Sequence, residues 1–263
     1  MNDYEDFKQV FYKHSNIDLN LYKEKQMKRR LTSLVERNGY SSFMEFLLAS
    51  LKDKDLYQTF VNYLTINVSE FYRNPSQWEV FENTIIPSII ERIGSIENIK
   101  IWSSACSTGD EPYTIVMILN KFFPLSKIKI IATDIDESAI EKALIGLYSS
   151  RSIKELPKEF LEKYFTRVTD ETFKISNDVI NCVDFKQLNL LEDTYPQNMD
   201  LIVCRNVLIY FTEEAKDLIY SNFNRALVDG GILFLGSTEQ IIGANQQGFK
   251  SVKTFFYQKT HEI

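Results

Sequence analysis

IKIWSSACSTGDEPYTIVMIL, residues 99–119, is the stretch around which the rest of the chain is organised. Its apolar beginning predicts a buried strand, and a loop of small residues follows. Asp110, Glu111 and Pro112 come next, and proline suits the first turn of a helix, where its missing N–H costs nothing. Strand, tight loop and helix in this order predict the ligand-binding corner of a doubly wound α/β sheet.

The loop of this corner has one glycine, Gly109, with two acidic residues directly after it. Dinucleotide and P-loop fingerprints need more glycines, and carboxylates at a helix N-terminus would repel a pyrophosphate. The pattern favours a nucleoside that carries positive charge and no phosphate, such as S-adenosylmethionine (SAM). The alternative is that Asp110 and Glu111 only complement the helix dipole.

The composition is that of a globular protein, with 263 residues, 44% hydrophobic and 25% charged. No apolar run is long enough for a membrane span, and the acidic N-terminus predicts no signal peptide. Three scattered cysteines, Cys106, Cys182 and Cys204, are typical of reduced thiols, which favours a cytoplasmic location. Two histidines, one near each end, disfavour a metal site or a Ser-His-Asp triad.

Charge is unevenly spread along the chain. The net charge of −6 disfavours nucleic acid as a partner. Residues 1–65 carry ten basic and nine acidic side chains, a sum of +1, whereas the remainder carries twenty and twenty-seven, a sum of −7. This asymmetry indicates two domains with different roles.

Residues 3–65 show helical periodicity only. Asp18 or Asn20 is a candidate cap for a helix that ends near Arg37, and another helix is predicted over about 55–64. One face of the first helix is basic, and it is either simply solvated or a docking surface for an acidic partner. The basic residues of this helix are Lys23, Lys25, Lys28, Arg29, Arg30 and Arg37.

The segment at residues 65–74, TINVSEFYRN, joins the helical part to the α/β part and has no regular period. It combines Asn67, Ser69 and Arg73 with two aromatic residues, which is unusual for a bland linker. We therefore expect it to be buried at a site, and we predict a helix over 78–93.

Polar residues end the next two strands. The strand 128–134 ends in Asp134, which is placed to bind ribose hydroxyls, and Asp136 is expected to cap the following helix. The next strand ends near Gln187 and is followed by Asn189, which can reach an adenine amino group.

Residues 199–204 form a further predicted core strand. Arg205, Asn206 and Tyr210 follow its carboxyl end, the edge where open α/β sheets bind ligands. A helix over 213–228 and a strand over 232–235 are expected next.

Two antiparallel pairs are also predicted. Short segments between 160 and 185, in which apolar and polar residues alternate, predict an inserted hairpin with a turn at Asn177-Asp178. A last hairpin is expected to pair 236–239 with 249–258.

Several motifs together resemble the chemotaxis receptor (CheR-type) protein-glutamate O-methyltransferases. The resemblance implies a Rossmann-like, SAM-dependent α/β domain with a small inserted antiparallel β-subdomain, preceded by an all-α domain. We expect a helical domain at 1–65, a linker at 66–76 that contributes to the cofactor site, and a methyltransferase domain at 77–263 with its insertion at about 160–183. The motifs are NVSEFYRN, IWSSACSTGDEPYT, ATDIDESAIEKA, LNLL, DLIVCRNVLIYF and GGILFLGSTEQ.

The resemblance also implies which residues bind SAM. Ser69 stands where many relatives have Thr, Tyr72 and Asp110 replace the commoner Phe and Glu, and the block at 236–239 departs from the family pattern, so no role is assigned there. Arg205, which precedes Asn206 at the same strand end, joins the cofactor-binding set. The positions carried over are Asn67, Ser69, Arg73, Glu111, Asp134, Asn189, Leu190 and Asn206.

The implied reaction is methyl transfer from SAM to receptor glutamates, which gives glutamate methyl esters and S-adenosylhomocysteine. Arg73 and Tyr210 are the expected catalytic residues beside the methyl group. The implied partner is the acidic, cytoplasmic helical bundle of chemoreceptors. The chain would be recruited to receptor arrays through this partner, without insertion into the membrane, and we expect it to be a monomer. The candidate docking residues are Lys25, Lys28, Arg29 and Arg30.

Two alternatives remain open from the sequence. One is a SAM-dependent methyltransferase with another substrate, which would share the pocket. The other is a regulatory module that binds SAM or its product without turnover.

Overall fold

The computed structural model of the chain describes residues 3–65, 67–94 and 99–260. The first range is a helical bundle, as its periodicity predicts, around an aromatic core that includes Phe7, Phe11 and Phe60. Large buried aromatic side chains of this kind dominate the energetics of a small core. The helices are α1 (Asp3–Ser15), α2 (Glu24–Arg37), α3 (Phe43–Ser50) and α4 (Lys54–Thr65).

The predicted start of α2 near Asp18 or Asn20 is wrong. Asp18 caps a single 3₁₀ turn, Leu19–Leu21, by accepting a hydrogen bond from the Asn20 N–H at 2.9 Å. The helix begins only at Glu24, because the chain between the turn and α2 is held in a bridge to a distant segment.

This bridge connects the helical bundle to the remainder of the molecule. The Thr212 N–H donates to the carbonyl of Leu21 at 2.9 Å, and the Lys23 N–H donates to the carbonyl of Tyr210 at 2.9 Å. The rings of Tyr22 and Phe211 pack 4.8 Å apart between these bonds. The bundle is therefore fixed at the carboxyl end of one central strand.

The rest of the described chain forms a seven-stranded mixed sheet and a separate three-stranded sheet. The strands are β1 (Ile101–Ser103), β2 (Ile130–Asp134), β3 (Leu147–Ser149), β4 (Phe165–Arg167), β5 (Thr172–Ile175), β6 (Val183–Gln187), β7 (Met199–Cys204), β8 (Leu227–Leu235), β9 (Phe249–Lys253) and β10 (Phe256–Lys259). The helices are α5 (Pro75–Val80), α6 (Ile86–Ile93), α7 (Asp110–Leu119), α8 (Glu137–Ile145), α9 (Lys158–Tyr164), α10 (Asn177–Ile180) and α11 (Glu213–Ala226).

The large sheet has the order β6-β2-β1-β7-β8-β10-β9. Its first five strands are parallel, and β10 is antiparallel to both of its neighbours. From β1 the chain moves outward to β2 and β6 and then returns to β7 on the other side. The order reverses between β1 and β7, so a ligand crevice is expected at their carboxyl ends.

Alternate side chains of the central strands bury opposite faces of the sheet. Ile101 and Val203 belong to the core that includes residues of α6 and α7, whereas Trp102 and Ile202 belong to the core that includes α11. This alternation follows from the two-residue period of a strand. The α/β fold class predicted from the sequence is confirmed.

The small sheet has the order β3-β5-β4 and is antiparallel. The predicted turn at Asn177-Asp178 is wrong, because Ser176 accepts a hydrogen bond from the Asp178 N–H and caps α10 there. The hairpin is β4–β5, and the residues after α10 enter the large sheet as β6. The strand β3, before the predicted insertion, completes the small sheet.

Two other predicted elements differ from those observed. The last hairpin pairs β9 with β10, and residues 236–239 form a turn instead of its first strand. The helix predicted over 78–93 contains a π-helical turn, Phe81–Ile85, just before Pro87. No helix among the described residues is long and apolar enough to cross a membrane.

Candidate active site

Two adjoining cavities, of about 600 and 550 Å³, lie at the carboxyl ends of β1, β2 and β7. Both volumes include space that is open to solvent. The cavities meet at Asp134 and Tyr210, which line both. The crevice predicted from the sheet topology is therefore present, and it is long enough to divide into two parts with different linings.

The first part, here called the apolar cavity, lies partly under the helical bundle. Tyr22, Met27 and Leu64 of the bundle face Leu188 and Leu190 of the α/β part across it. A flat, weakly polar group such as a purine suits such walls. The contribution of Tyr22 and Met27 was missed from the sequence, because the spacing of Met27 indicates only a helix core.

Asn189 lines the apolar cavity, but its side-chain amide is engaged elsewhere. Its Nδ2 donates to the carbonyl of Asn16 at 2.9 Å, and its Oδ1 accepts from the Leu191 N–H at 3.0 Å. The side chain thus stabilises the loop after β6 against the helical bundle. The structure gives no support for the predicted contact between this amide and adenine.

Asp134 lies at the junction of the two cavities, at the end of β2. Its two carboxylate oxygens accept hydrogen bonds from the N–H groups of Ser107, at 2.7 Å, and Asp136, at 3.0 Å. Burial raises the pKa of Asp134 to about 6, and these two N–H groups oppose that shift. The carboxylate is held rigidly where ribose hydroxyls are expected.

Asp136 caps α8, as predicted, and it also fixes the linker before the site. Its Oδ2 accepts from the Thr65 hydroxyl at 2.8 Å and from the Asn67 amide at 2.5 Å. The Asn67 Oδ1 in turn accepts from the Ser107 hydroxyl at 3.3 Å. Asn67 therefore lines the site as expected, but its amide mainly joins the linker to the loop after β1.

The second part, here called the polar cavity, contains the remaining predicted polar residues. Of the two acidic residues after Gly109, Glu111 lines the polar cavity. Asp110 is fully buried, and it accepts a hydrogen bond from the Thr108 hydroxyl at 2.6 Å. Ser69, Arg73, Arg205 and Asn206 share this lining.

Glu111 is a largely buried carboxylate, with 11% of its side-chain surface exposed, and it lies between a hydroxyl and a cation. Its Oε1 accepts from the Ser103 hydroxyl at 2.8 Å, and its Oε2 lies 3.7 Å from the Arg205 Nη1. Burial raises the pKa of Glu111 to about 7, and the guanidinium of Arg205 opposes that shift. The protein therefore compensates the negative charge only in part.

Arg205 is mainly a structural cation. Its Nη2 donates to the carbonyl of Arg73 at 2.8 Å and to the Gln77 side chain at 2.7 Å, and its guanidinium packs on the rings of Trp78 and Phe234. Burial lowers its pKa. Although it lines the polar cavity, its hydrogen bonds hold the linker and α5 against the end of β7.

Arg73 and Tyr210, the predicted catalytic pair, both line the polar cavity. Arg73 is partly exposed and donates one long hydrogen bond, to the carbonyl of Val68 at 3.3 Å. Tyr210 reaches the junction from the short turn after β7. The arrangement places a partly exposed cation and a phenol beside the same opening.

The four predicted docking residues have different environments on α2. Lys25 and Arg29 are exposed, whereas Lys28 lies over the Tyr4 ring at 4.9 Å. Arg30 donates to the carbonyl of Tyr63 at 2.7 Å and packs on its ring. Lys25 and Arg29 are thus the more accessible members of the set.

No group of three or more potential metal ligands occurs in the part of the chain that the structure describes. Among the polar groups that line the crevice are two carboxylates whose pKa values are raised by burial, Asp134 and Glu111, and an apolar cavity adjoins them. This combination defines a site for a nucleoside that carries positive charge, in the manner of SAM-dependent methyltransferases.

Comparisons with known proteins give the family. The family model "CheR methyltransferase, SAM binding domain" matches residues 67–257, and "CheR methyltransferase, all-alpha domain" matches residues 2–65. The chain belongs to the CheR methyltransferase family, and it is a SAM-dependent methyltransferase.

Curated relatives match over most of their length. A chemotaxis protein methyltransferase of Listeria innocua is 39% identical over 98% of this chain and 97% of its own. Another, of Borreliella burgdorferi, is 34% identical over 89% of this chain and 86% of its own. The solved structure of PKMT2 from Rickettsia typhi in complex with AdoHcy has a TM-score of 0.35, at 20% identity over 54% of this chain and 21% of that chain.

The residues present fit SAM. Burial raises the pKa values of Asp134 and Glu111, and their hydrogen bonds and the guanidinium of Arg205 oppose these shifts only in part. A ligand with a sulfonium and an ammonium group would supply the missing positive charge. Its nucleobase would find apolar walls at Leu188, Leu190 and Met27.

Proposed function

We propose that the chain transfers the methyl group of SAM to glutamate side chains of chemoreceptors, giving glutamate methyl esters and S-adenosylhomocysteine. The observation that carries the proposal is that both CheR domains match in order over nearly the whole chain. The curated relatives with this architecture are named chemotaxis protein methyltransferases. Receptor adaptation is the process that such methylation would serve.

We infer that the cofactor lies along the whole crevice. Asp134 would accept hydrogen bonds from the ribose hydroxyls, and Glu111 would face the ammonium group. The apolar cavity would hold adenine, with Leu190 in its wall, while Asn67, Ser69 and Asn206 complete the polar part. When bound, SAM supplies a methyl group that is electrophilic because it is attached to a sulfonium.

The protein needs no general base for this reaction. A glutamate side chain has a pKa near 4.3, so the acceptor is already ionised at neutral pH. The chain's part is to align the acceptor and to exclude water from it, which can lower a barrier by roughly 7–11 kcal/mol in favourable cases.

Arg73 and Tyr210 are the residues that we assign to this alignment. The Arg73 guanidinium is the partly exposed cation of the polar cavity, and it can bind the acceptor carboxylate in a bidentate manner. Tyr210 can donate a hydrogen bond to the same carboxylate. Together they would offset the repulsion between the acceptor and Glu111.

The basic face of α2 is our proposed docking surface. Lys25, Lys28, Arg29 and Arg30 would contact the acidic helical bundle of the receptor, with Lys25 and Arg29 as the most exposed contacts. Because Met27 of the same helix lines the apolar cavity, docking there would bring the receptor close to the site. This partner would place the chain, as a monomer, in the cytoplasm at receptor arrays.

The test is transfer of radiolabelled methyl from SAM to chemoreceptor-containing membranes, followed by treatment of the receptor band with base. We expect base-labile label that is released as volatile methanol, which is diagnostic of a carboxyl methyl ester. A receptor whose acceptor-region glutamates are replaced by alanine is the matched control. Binding of SAM without label on the receptor would contradict the proposed substrate.

A further inference from the structure

Glu239 lies in the turn after β8, and only 4% of its surface is exposed. Its Oε2 accepts hydrogen bonds from the N–H groups of Asn206, at 2.6 Å, and Gly236, at 2.9 Å. Its Oε1 accepts from the Leu208 N–H at 2.6 Å. One buried carboxylate therefore satisfies three backbone donors from two segments that are distant in sequence.

The segment held in this way carries two residues of the site. Asn206 has a φ of +62°, a left-handed conformation that costs free energy for a residue with a side chain. Leu208 begins the turn that ends at Tyr210, which lines both cavities. Bonds from a charged carboxylate to the N–H groups of Asn206 and Leu208 can hold both features in place.

Gly236 belongs to the same unit. A Cβ added at this position would lie 2.5 Å from the Glu239 Oε2 and 2.8 Å from the Asn206 backbone nitrogen. Nothing larger than glycine fits while these hydrogen bonds are present. The close approach of β8 to the loop after β7 is therefore built around the carboxylate.

The charge of Glu239 also acts on the polar cavity. Arg205 is stabilised in its charged form by both Glu111 and Glu239, which lie near it. Without the Glu239 charge, the charged form of Arg205 would lose one of these two favourable interactions. The carboxylate thus influences the site through the backbone and through one shared cation.

We propose that Glu239 is a positioning residue of the methyltransferase site, which holds Asn206 for SAM binding and Tyr210 for methyl transfer. The part that concerns transfer rests on the proposed function, whereas the part that concerns SAM binding does not. Glu239 itself lines neither cavity, so its effect passes through the segment from Asn206 to Tyr210.

The main test is Glu239→Gln in the full chain. The amide keeps the shape, but it offers one acceptor oxygen and turns an N–H₂ group toward backbone donors. We expect the dissociation constant for SAM, measured by calorimetry, to rise roughly tenfold. We expect kcat to fall roughly 100-fold, because a displacement of reacting groups by about 1 Å can cost that much in rate. The KM for receptor should stay unchanged, since α2 is intact.

Asp200→Asn is the matched control. Asp200 is also a buried carboxylate, and it accepts from the Lys100 N–H at 2.9 Å and from Arg92 at 2.7 Å, at the opposite end of β7. We expect this variant to lower the melting temperature but to leave the SAM dissociation constant unchanged. A merely structural role of Glu239 would give the same result as this control.

Gly236→Ala keeps the Glu239 carboxylate but displaces it. This variant tests the proposal if Glu239→Gln does not fold. We expect the same weakening of SAM binding. The proposal is overturned if a folded Glu239→Gln, or Gly236→Ala in its place, binds SAM within twofold of the native chain. If the native chain binds SAM but never labels a receptor, the proposed function fails while the SAM measurement still tests Glu239.

Discussion

The backbone N–H of Lys23 donates a 2.9 Å hydrogen bond to the carbonyl of Tyr210, and this bond joins the helical bundle to the junction of the two cavities. The neighbouring rings of Tyr22 and Phe211 pack against each other beside it. Because Tyr22 also lines the apolar cavity, the N-terminal bundle forms part of the wall of the crevice and does more than precede it along the chain.

Replacement of Tyr22 by alanine tests this role of the bundle. The loss of an aromatic pair costs about 0.5–1.5 kcal/mol beyond its buried area, and a wall of the apolar cavity disappears with it. We expect SAM affinity to fall about three- to tenfold in calorimetry. Tyr22→Phe keeps the ring and should bind SAM as the native chain does; equal affinities for all three proteins would contradict the assignment.

Charge reversal on α2 tests the docking surface. We expect the double variant Lys25→Glu, Arg29→Glu to raise the KM for receptor about tenfold at low salt, because opposite charges guide such encounters. The difference should shrink as salt increases, since exposed charges are screened. SAM affinity is the internal control, and it should not change.

Arg30 should not be included in that experiment. Its guanidinium donates to the carbonyl of Tyr63 and packs on the ring, so Arg30→Glu would destabilise the bundle itself. A receptor KM that is unaffected by Lys25→Glu, Arg29→Glu at low salt would refute docking through this face.

SAM affinity should depend on pH. Burial raises the pKa of Glu111 to about 7 and that of Asp134 to about 6, and a bound cation favours their ionised forms. Binding below pH 7 must therefore release protons, and affinity should rise from pH 5 to pH 8. Calorimetry in buffers of different ionisation enthalpy measures the released protons, and Glu111→Gln should lose the part of this dependence near pH 7.

Ionisation of the same two carboxylates has the opposite effect on the stability of the unliganded chain, which should fall as the pH rises. Their folded pKa values are raised, so their stabilising contribution is complete below about pH 4 and is lost as the pH rises through about 6 to 7. We expect the melting-temperature increase produced by SAM to be larger at pH 8 than at pH 5. An increase that is constant with pH would argue that neither carboxylate meets the cation.

The local features of the site could be predicted from the sequence. The corner at 99–119, Asp134 at the end of its strand and the helix cap at Asp136 each depend on neighbours within a few residues. Such signals are short in range, and strand ends in a parallel sheet meet at one edge whatever the loops do.

The features that were missed depend on contacts between distant residues. Tyr22 meets Phe211, and Glu239 meets Asn206, only after the fold has formed. Arg205 lines the polar cavity, and its predicted binding of the cofactor stays a prediction. Its burial against the rings of Trp78 and Phe234 could not be inferred from the residues next to it in the sequence. Asn177 follows a serine, and a serine followed by Asn and Asp is typical both of a turn and of a helix N-cap. Periodicity alone could therefore not distinguish a hairpin turn from the start of α10.

The most direct measurement is the affinity of SAM for the native chain and for Asp134→Asn, with Asp200→Asn as the matched buried-acid control. Hydrogen bonds to a charged group contribute about 1.5–3 kcal/mol, so we expect Asp134→Asn to bind SAM roughly 10- to 150-fold more weakly. The control should bind as the native chain does. Equal affinity of Asp134→Asn and the native chain would show that SAM does not occupy this crevice as described.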